Sequence, residues 1–578
     1  MLRLILSLLT LALLAGSLAP AAAKPKLLTH STKTTAGPPK DYSKNKGLSQ
    51  PRFKDTVRET HLVEMEDGIQ IYVEVVRPKA PGRYGTILEL SPYHGTLADR
   101  SGTRILPGPK ENGQAIGLAG YFAPRGYAVV FADLRGTGRS QGCLDHLGPK
   151  DQSDSFEIVE WAAKQKWSNG RVGMTGHSYV GSTPQMAAAQ NPPSLKTIVP
   201  SAGLAAMYHH EFQNGVPYWL QWAGPLFAYE QLAIERHLPG EDNAGNDMQY
   251  FGCGATNSAA VTGEAYFSGA ETEWHRERDY RKGATKSKIP MFVVHGVNDN
   301  AARIAAIDWF NARQRPGDKA WIGQWDHGSG CCPTTRTCPQ TSTGPCEDDE
   351  FTAALHAWFD KHLLRRPVDT GPPIELFLNN GEVYTAPTWP PPGARDLTFH
   401  PQANGGLGLQ PDDEDFASYI SDPNGFGDEF DTGNVTWTSD KLTRDTLIAG
   451  IPKMRLVTSV FGGRVHINAT LYDVSPDGKV DRIGRAGWAI QPELRDGNDN
   501  PQPVIPAQRM EIDLDAMAQA HLIPKGHQLM LIIAGSHPDK VPTFAAGAEV
   551  TIVTGGANGT RFTIPVVTNP RTYRDPMI

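Results

Sequence analysis

Apolar and polar positions alternate from residue 69 onward in the manner of a strand. Ile69, Ile71, Val73 and Val75 fall on one side and Gln70, Tyr72 and Glu74 on the other, until Pro78 ends the run. Thr86–Leu90, stopped by Ser91-Pro92, is a second strand. The later stretches Ala128–Ala132, Arg171–Thr175, Lys196–Pro200, Pro290–His295 and Ala320–Gly323 are short and largely apolar. Runs of that kind suit strands of a parallel sheet covered on both faces. Between them the period becomes helical. Phe156, Val159 and Ala163 mark a helix over Ser153–Lys166, and a second follows Ser178 through Met186 to Gln190 before Pro192-Pro193. A third spans Ala301–Ala312, and Asp349–Leu363 closes the series. Strands alternating with helices predict an α/β fold with a mostly parallel, doubly wound sheet.

Two stretches break that alternation. Residues 205–286 are rich in aromatic and polar residues without a strand pattern, which predicts a helical cap inserted above the carboxyl edge of the sheet. After the proline-rich turn Trp389–Pro392 come many short alternating stretches, such as Lys453–Thr458, Arg464–Tyr472 and His527–Ala534, with turns such as Ser475–Gly478 between them. That spacing predicts an all-β sandwich over 374–570. The core then occupies 52–204 and 287–366, and the polar stretch 24–51, with no periodic apolar pattern, reads as a flexible leader. Residues 1–23 read as a signal peptide: Arg3, an apolar run from Leu4 to Leu14, then Ala21-Ala22-Ala23 before Lys24. The expected location is outside the cytoplasm, secreted or periplasmic. No later run is long and apolar enough to span a bilayer, so no membrane partner is expected after cleavage.

At 578 residues the chain exceeds what one core serves, which agrees with several domains. A net charge of -7 supplies no field that would gather nucleic acid. Of 6 cysteines, Cys331, Cys332, Cys338 and Cys346 share one loop, while Cys143 and Cys253 stand alone. The loop lacks paired CxxC spacing, and adjacent cysteines make poor co-ligands of a tetrahedral metal, so disulfides are expected ahead of zinc. No metal or organic cofactor is implied.

The chemistry concentrates at Gly176-His-Ser-Tyr-Val-Gly181, which follows a strand and precedes a helix. This context fits a nucleophile elbow that holds Ser178 over the sheet edge, although the second glycine comes one place later than in GxSxG. A serine hydroxyl needs a base to take its proton. Asp299 follows the strand ending at His295, and His327 follows the strand ending at Gly323, in the chain order Ser, Asp, His. Asp308 and Asp326 are rival acids, the first within a predicted helix and the second too close to His327 to face its ring. The oxyanion donors are expected to be the backbone N–H of Tyr179 and the phenol of Tyr93.

These residues resemble a known family, the CocE/NonD hydrolases of the X-Pro dipeptidyl-peptidase and cocaine-esterase group. The elbow matches its GxSYxG, and Asp133–Ser140 looks like its D-x-RG-x-G-x-S stretch. Trp161 with Trp167–Met174 looks like its approach to the elbow, Pro92-Tyr93 its oxyanion tyrosine, and Asp473–Gly478 its DVxPDG turn. The resemblance implies an α/β-hydrolase core, a helical cap and a C-terminal jelly-roll sandwich of galactose-binding-like fold that walls the acyl pocket. It departs at Gly296-Val-Asn-Asp299, where the family often has GWYD, and in the cysteine-rich loop after His327. It implies an esterase, a β-lactam acylase or α-amino-acid ester hydrolase, or a proline-specific dipeptidyl-peptidase, acting on a small ester, an amide or a short peptide. The last needs carboxylates for the substrate's α-ammonium, and Glu211, Glu230, Glu235 and Asp242 are candidates. A reading from another class is a secreted binding protein that uses the sandwich on a silent hydrolase scaffold. Oligomeric state is not legible.

Overall fold

The computed structural model describes residues 36–94, 110–111, 114–115, 117–219, 268–303, 305–327, 349–421, 429–430, 433–484, 487–543 and 547–574. The predicted signal peptide, residues 220–267 of the predicted cap and every cysteine except Cys143 lie outside them.

One 11-stranded sheet organises the first part of the chain. Its strands are β1 (Thr56–Glu64), β2 (Gln70–Pro78), β3 (Tyr84–Ser91), β4 (Tyr127–Asp133), β5 (Ser168–His177), β6 (Leu195–Ser201), β7 (Phe292–Gly296), β8 (Lys319–Gly323), β9 (Ile374–Phe377) and β10 (Glu382–Ala386), with Tyr573–Arg574 at the far edge. The order is β1-β2-β4-β3-β5-β6-β7-β8-β9-β10. From β4 to β9 all neighbours run parallel, and the pairs at either end are antiparallel. β3 and β4 are buried along their whole length, as strands covered on both faces must be. β2 keeps its predicted alternation, with Ile71, Val73 and Val75 fully buried. Helices α1 (Pro149–Lys164), α2 (Tyr179–Gln190), α3 (Met207–Glu211), α4 (Ala305–Arg313) and α5 (Asp349–Leu363) accompany the strands. α1 starts four residues ahead of the predicted Ser153, because Pro149 presets the first helical turn.

Two expectations need correction. Residues 36–51 are not a flexible leader. Tyr42 is buried and donates its hydroxyl proton to Glu375 (2.9 Å), while Ser49 bonds Asp360 and His356. The boundary at 374 also moves. β9 and β10 extend the hydrolase sheet by pairing with β8 and with each other, so the C-terminal β system begins at Arg395. That system is 14-stranded and has its own apolar core, including Trp437, Trp488 and Phe562. Its strand β11 (Gln519–Ile523) lies beside the hydrolase domain: Asn379, in the β9–β10 turn, donates to Leu522 O (3.0 Å) and accepts from Leu522 N (2.8 Å).

Candidate active site

β5 ends one residue before Ser178 and α2 begins one residue after it. Ser178 joins them with φ 63° and ψ -129°, a conformation that side-chain-bearing residues avoid and that stores strain in the turn. Its N–H donates to Ser201 O (3.0 Å), and its carbonyl accepts from Gly181 N (2.9 Å) and Ser182 N (3.1 Å). Two glycines permit this. A Cβ on Gly176 would lie 2.3 Å from Val180 O, and one on Gly181 would lie 2.1 Å from Ser201 O. The second glycine stands three places after the serine because that is where α2 crosses the end of β6.

Ser178, His327 and Asp299 come from separate loops at the carboxyl edge and meet in one line of hydrogen bonds. His327 Nε2 is 2.7 Å from Ser178 Oγ, and His327 Nδ1 is 2.9 and 3.1 Å from the two oxygens of Asp299. The Asp299 side chain is buried, while that of His327 is 23% exposed, so the base faces the side from which a substrate can arrive. Asp299 Oδ1 also accepts from Ala301 N (2.8 Å) and Ala302 N (2.7 Å), and Oδ2 faces His295 Nε2 at 3.0 Å. Burial opposes the carboxylate charge, yet the positive side of His327 and the His295 hydrogen bond hold Asp299 well below the usual carboxylate range. It therefore stays an acceptor for His327 Nδ1–H, which leaves Nε2 as the nitrogen that can take the serine proton.

The loop that carries His327 is fastened at three points that sequence reasoning missed. His177 Nε2–H donates to His327 O (2.9 Å), with His177 Nδ1 on Ser201 Oγ (3.2 Å). Asn298 Nδ2 donates to Gln324 O (2.6 Å). Gln324 Nε2 donates to Ala520 O (2.5 Å) on β11, so the C-terminal β system holds the base-bearing loop directly. No local pattern marks these contacts, since His177 meets a residue 150 positions away and Gln324 one 196 away.

Tyr93 follows β3, with its N–H on Ser91 Oγ (3.0 Å), and its ring stands edge-on to Tyr179 at 6.4 Å. Tyr179 opens α2, where backbone N–H groups lack partners within the helix and favour negative charge. Behind Tyr93, the His94 ring lies between Glu89 Oε1 (3.0 Å) and Asp133 Oδ1 (3.2 Å). Burial works against an imidazolium there, but hydrogen bonds to Asp133 and Glu89 overcome it and push the pKa up to about 10. Asp133, the first residue of the D-x-RG-x-G-x-S stretch, also accepts from Arg139 N (2.9 Å), while Arg135 grips buried Asp154 through two bonds (2.7 and 2.6 Å). That stretch is a structural brace beside the site.

Of the four candidate carboxylates, Glu211 is buried and engaged. Thr272 N donates to His275 Nδ1 (3.1 Å), so the His275 proton sits on Nε2 and goes to Glu211 (3.1 Å). Glu230, Glu235 and Asp242 lie outside the described residues. Asp308 lies on α4, away from the strand-end position that Asp299 occupies. Among the described residues no group of three or more His, Cys, Asp or Glu could hold a metal ion.

A parallel sheet with a serine on a strained strand-to-helix turn, and an acid and a histidine on later strand-end loops, defines an α/β hydrolase. Residues 67–329 match the X-Pro dipeptidyl-peptidase (S15 family) and residues 367–567 the X-Pro dipeptidyl-peptidase C-terminal non-catalytic domain. The two matches are successive parts of one architecture and together span most of the chain, which belongs to the X-Pro dipeptidyl-peptidase (S15) family and is a serine hydrolase. It is 27% identical to a Streptomyces avermitilis protein carried under the provisional name Xaa-Pro dipeptidyl-peptidase, over 96% of this chain and 89% of that one. It is 24% identical to the cocaine esterase of a Rhodococcus species, over 82% of this chain and 90% of the esterase. A solved CocE/NonD family hydrolase from Staphylococcus aureus shares the fold with a TM-score of 0.70 at 19% identity, covering 89% of this chain and 94% of the other.

Proposed function

We propose that this protein is a secreted or periplasmic enzyme that cleaves a small ester or amide through an acyl-enzyme on Ser178, with His327 as base and Asp299 as its orienting acid. The observation that carries the reading is the hydrogen-bond line from Ser178 Oγ through His327 to Asp299. His327 Nε2 takes the hydroxyl proton as Ser178 Oγ attacks the carbonyl carbon. The oxyanion forms beside the Tyr179 N–H and the Tyr93 hydroxyl. Collapse expels the alcohol or amine with the proton from His327, and water releases the acyl group by the same route.

Esters are the favoured substrates. A dipeptidyl-peptidase must grip an α-ammonium with carboxylates, and Glu211 is already held by His275. The names of the relatives keep X-Pro dipeptides as the second reading. Residues 205–286 act as a helical cap, a role supported by the short helices Met207–Glu211, Glu273–Glu277 and Arg281–Ala284 at its two ends. The C-terminal strands form a jelly-roll that walls the acyl pocket, supported by the Gln324–Ala520 contact. Export fits the apolar leader and the disulfide at Cys143.

Labelling with a fluorophosphonate probe tests catalysis: wild type reacts and Ser178→Ala does not. A silent binding protein would leave both unlabelled. Hydrolysis of p-nitrophenyl butyrate compared with Ala-Pro-p-nitroanilide tests the substrate. The ester should be cleaved at least as fast, and strong anilide turnover with none on the ester would replace this reading with the second.

A further inference from the structure

Four histidines gather around one carboxylate. Besides His327, the triad acid has His295 as a direct partner, while His177 holds the carbonyl of His327 and His210 on α3 lies close enough to feel both Asp299 and His327. We infer that His295 is a positioning residue for Asp299: its Nε2–H fixes the carboxylate from the side opposite the backbone donors and moderates its pull on His327.

The geometry assigns every lobe of Asp299. Oδ1 takes two backbone N–H groups, from Ala301 and Ala302, and Oδ2 takes His295. His327 Nδ1 then bridges both oxygens at 2.9 and 3.1 Å. The carboxylate plane is therefore set by groups other than the base it serves. His295 is the last apolar-flanked position of β7 and is fully buried, so β7 itself aims the ring. Burial lowers its pKa, and the Asp299 hydrogen bond offsets only part of that, so the ring is neutral and acts as a donor. A carboxylate that accepts one more strong hydrogen bond is a weaker base toward its other partner. Without His295, Asp299 would stabilise the His327 imidazolium more strongly and hold it at a less constant angle. The other groups facing the pair are His177 at the end of β5, His210 on α3, and Arg303, whose charge does not change in the working range; Asp326 adjoins His327 in the chain. Burial lowers the pKa of His210 as well.

This inference rests on the triad reading above, and its test separates the two. His295→Gln keeps an N–H near the position of Nε2, whereas His295→Met fills similar space without a donor. In enzyme that labels with fluorophosphonate, H295Q should keep kcat within about threefold of wild type and leave the pH profile in place. H295M should lower kcat by about tenfold at constant KM and move the acid limb of kcat/KM up by about 0.5–1 pH unit. Equal losses in both variants with an unmoved limb would reduce His295 to a space-filler and overturn the inference, as would a wild-type profile in H295M. Should H295M not fold, the ¹⁵N spectrum of wild-type His295 decides: a neutral ring protonated on Nε2 supports the inference, and one protonated on Nδ1 ends it. Failure of wild type to label would instead defeat the triad reading.

Discussion

Among the described residues, two clusters of serine, histidine and aspartate can be compared, and of these two one is built to move a proton. In the first, His327 uses one nitrogen for Ser178 and the other for Asp299, so charge can pass along a line. In the second, Ser49 Oγ donates to Asp360 Oδ1 (2.8 Å) and also meets His356 Nε2 (2.8 Å). A hydroxyl has one proton. With it on Asp360, His356 Nε2 can only donate to the serine, the reverse of what a base must do. His356 Nδ1 faces Tyr121 OH (3.1 Å) instead of an acid, and Asp360 takes further bonds from Tyr127 OH (2.6 Å) and Ser49 N (2.5 Å). The side chain of His356 is 3% exposed against 23% for His327. The same three residue types thus pin residues 36–51 to α5 in one place and form a reactive relay in the other. The difference lies in the direction of each hydrogen bond and in access, and neither is visible in residue identity.

The largest effect that can break this comparison comes from the two serines. Ser178→Ala should lower kcat by at least about 10⁴ with circular dichroism and Tm unchanged. Ser49→Ala should leave kcat/KM within about twofold but reduce unfolding free energy in urea by about 1–3 kcal/mol, because buried Asp360 and His356 each lose a partner. Loss of turnover in a folded S49A enzyme would mean the clusters are not functionally distinct. The next effect is confined to the reactive side. Tyr93→Phe should lower kcat about 10²-fold with little change in KM, if the phenol serves the oxyanion. Steady-state kinetics with an unchanged kcat would remove Tyr93 from the mechanism.

What the sequence made legible follows from how local each signal is. β2 was readable because its alternation is contained in seven residues, and Asp349–Leu363 matches α5 end to end. The elbow was readable because strand, Gly-x-Ser and helix are contiguous. Residues 36–51 were misread because their partners, Glu375, Thr370 and Asp360, lie more than 300 positions away, and such contacts leave no period. β9 and β10 were assigned to the wrong sheet for the same reason: an alternating strand does not say which edge it joins. Asp299 and His327 could be chosen from their place after strands, but nothing in the sequence sets His177, His295 and His94 apart. Their chemistry depends on the group that the tertiary fold brings opposite.

Smaller effects appear in stability against pH, where His94 on the reactive side and Asp360 at the pin carry opposite signatures. On the reactive side, burial disfavours the His94 imidazolium, but Asp133 and Glu89 raise its folded pKa to about 10 from 6.5. A raised pKa gives stability that is full below the unfolded value and is lost as pH climbs through the folded one. Heat denaturation should therefore show Tm falling between about pH 7 and 10.5, more steeply in wild type than in His94→Gln, which begins lower. Parallel slopes in the two proteins would mean that His94 is not charged at neutral pH.

At the pin the sign reverses, and the effect is smaller. Burial alone would raise the Asp360 pKa, but the nearby His356 ring (3.6 Å) and hydrogen bonds from Tyr127 and Ser49 bring it down. A depressed carboxylate pKa supplies stability that is present above the unfolded value and disappears as pH falls through the folded one. Asp360→Asn keeps an oxygen acceptor but removes the charge. It should lower Tm by a few degrees at neutral pH, and the gap to wild type should narrow below about pH 4. The same substitution should leave fluorophosphonate labelling of Ser178 at the wild-type rate, since the pin meets the sheet at Tyr127, the first residue of β4 and so the end away from its carboxyl edge. A gap that stays constant down to about pH 2 would show that Asp360 works through packing alone. Slowed labelling in D360N would show that the pin and the relay are coupled through α5, which the opposite burial and bond directions of the two clusters argue against.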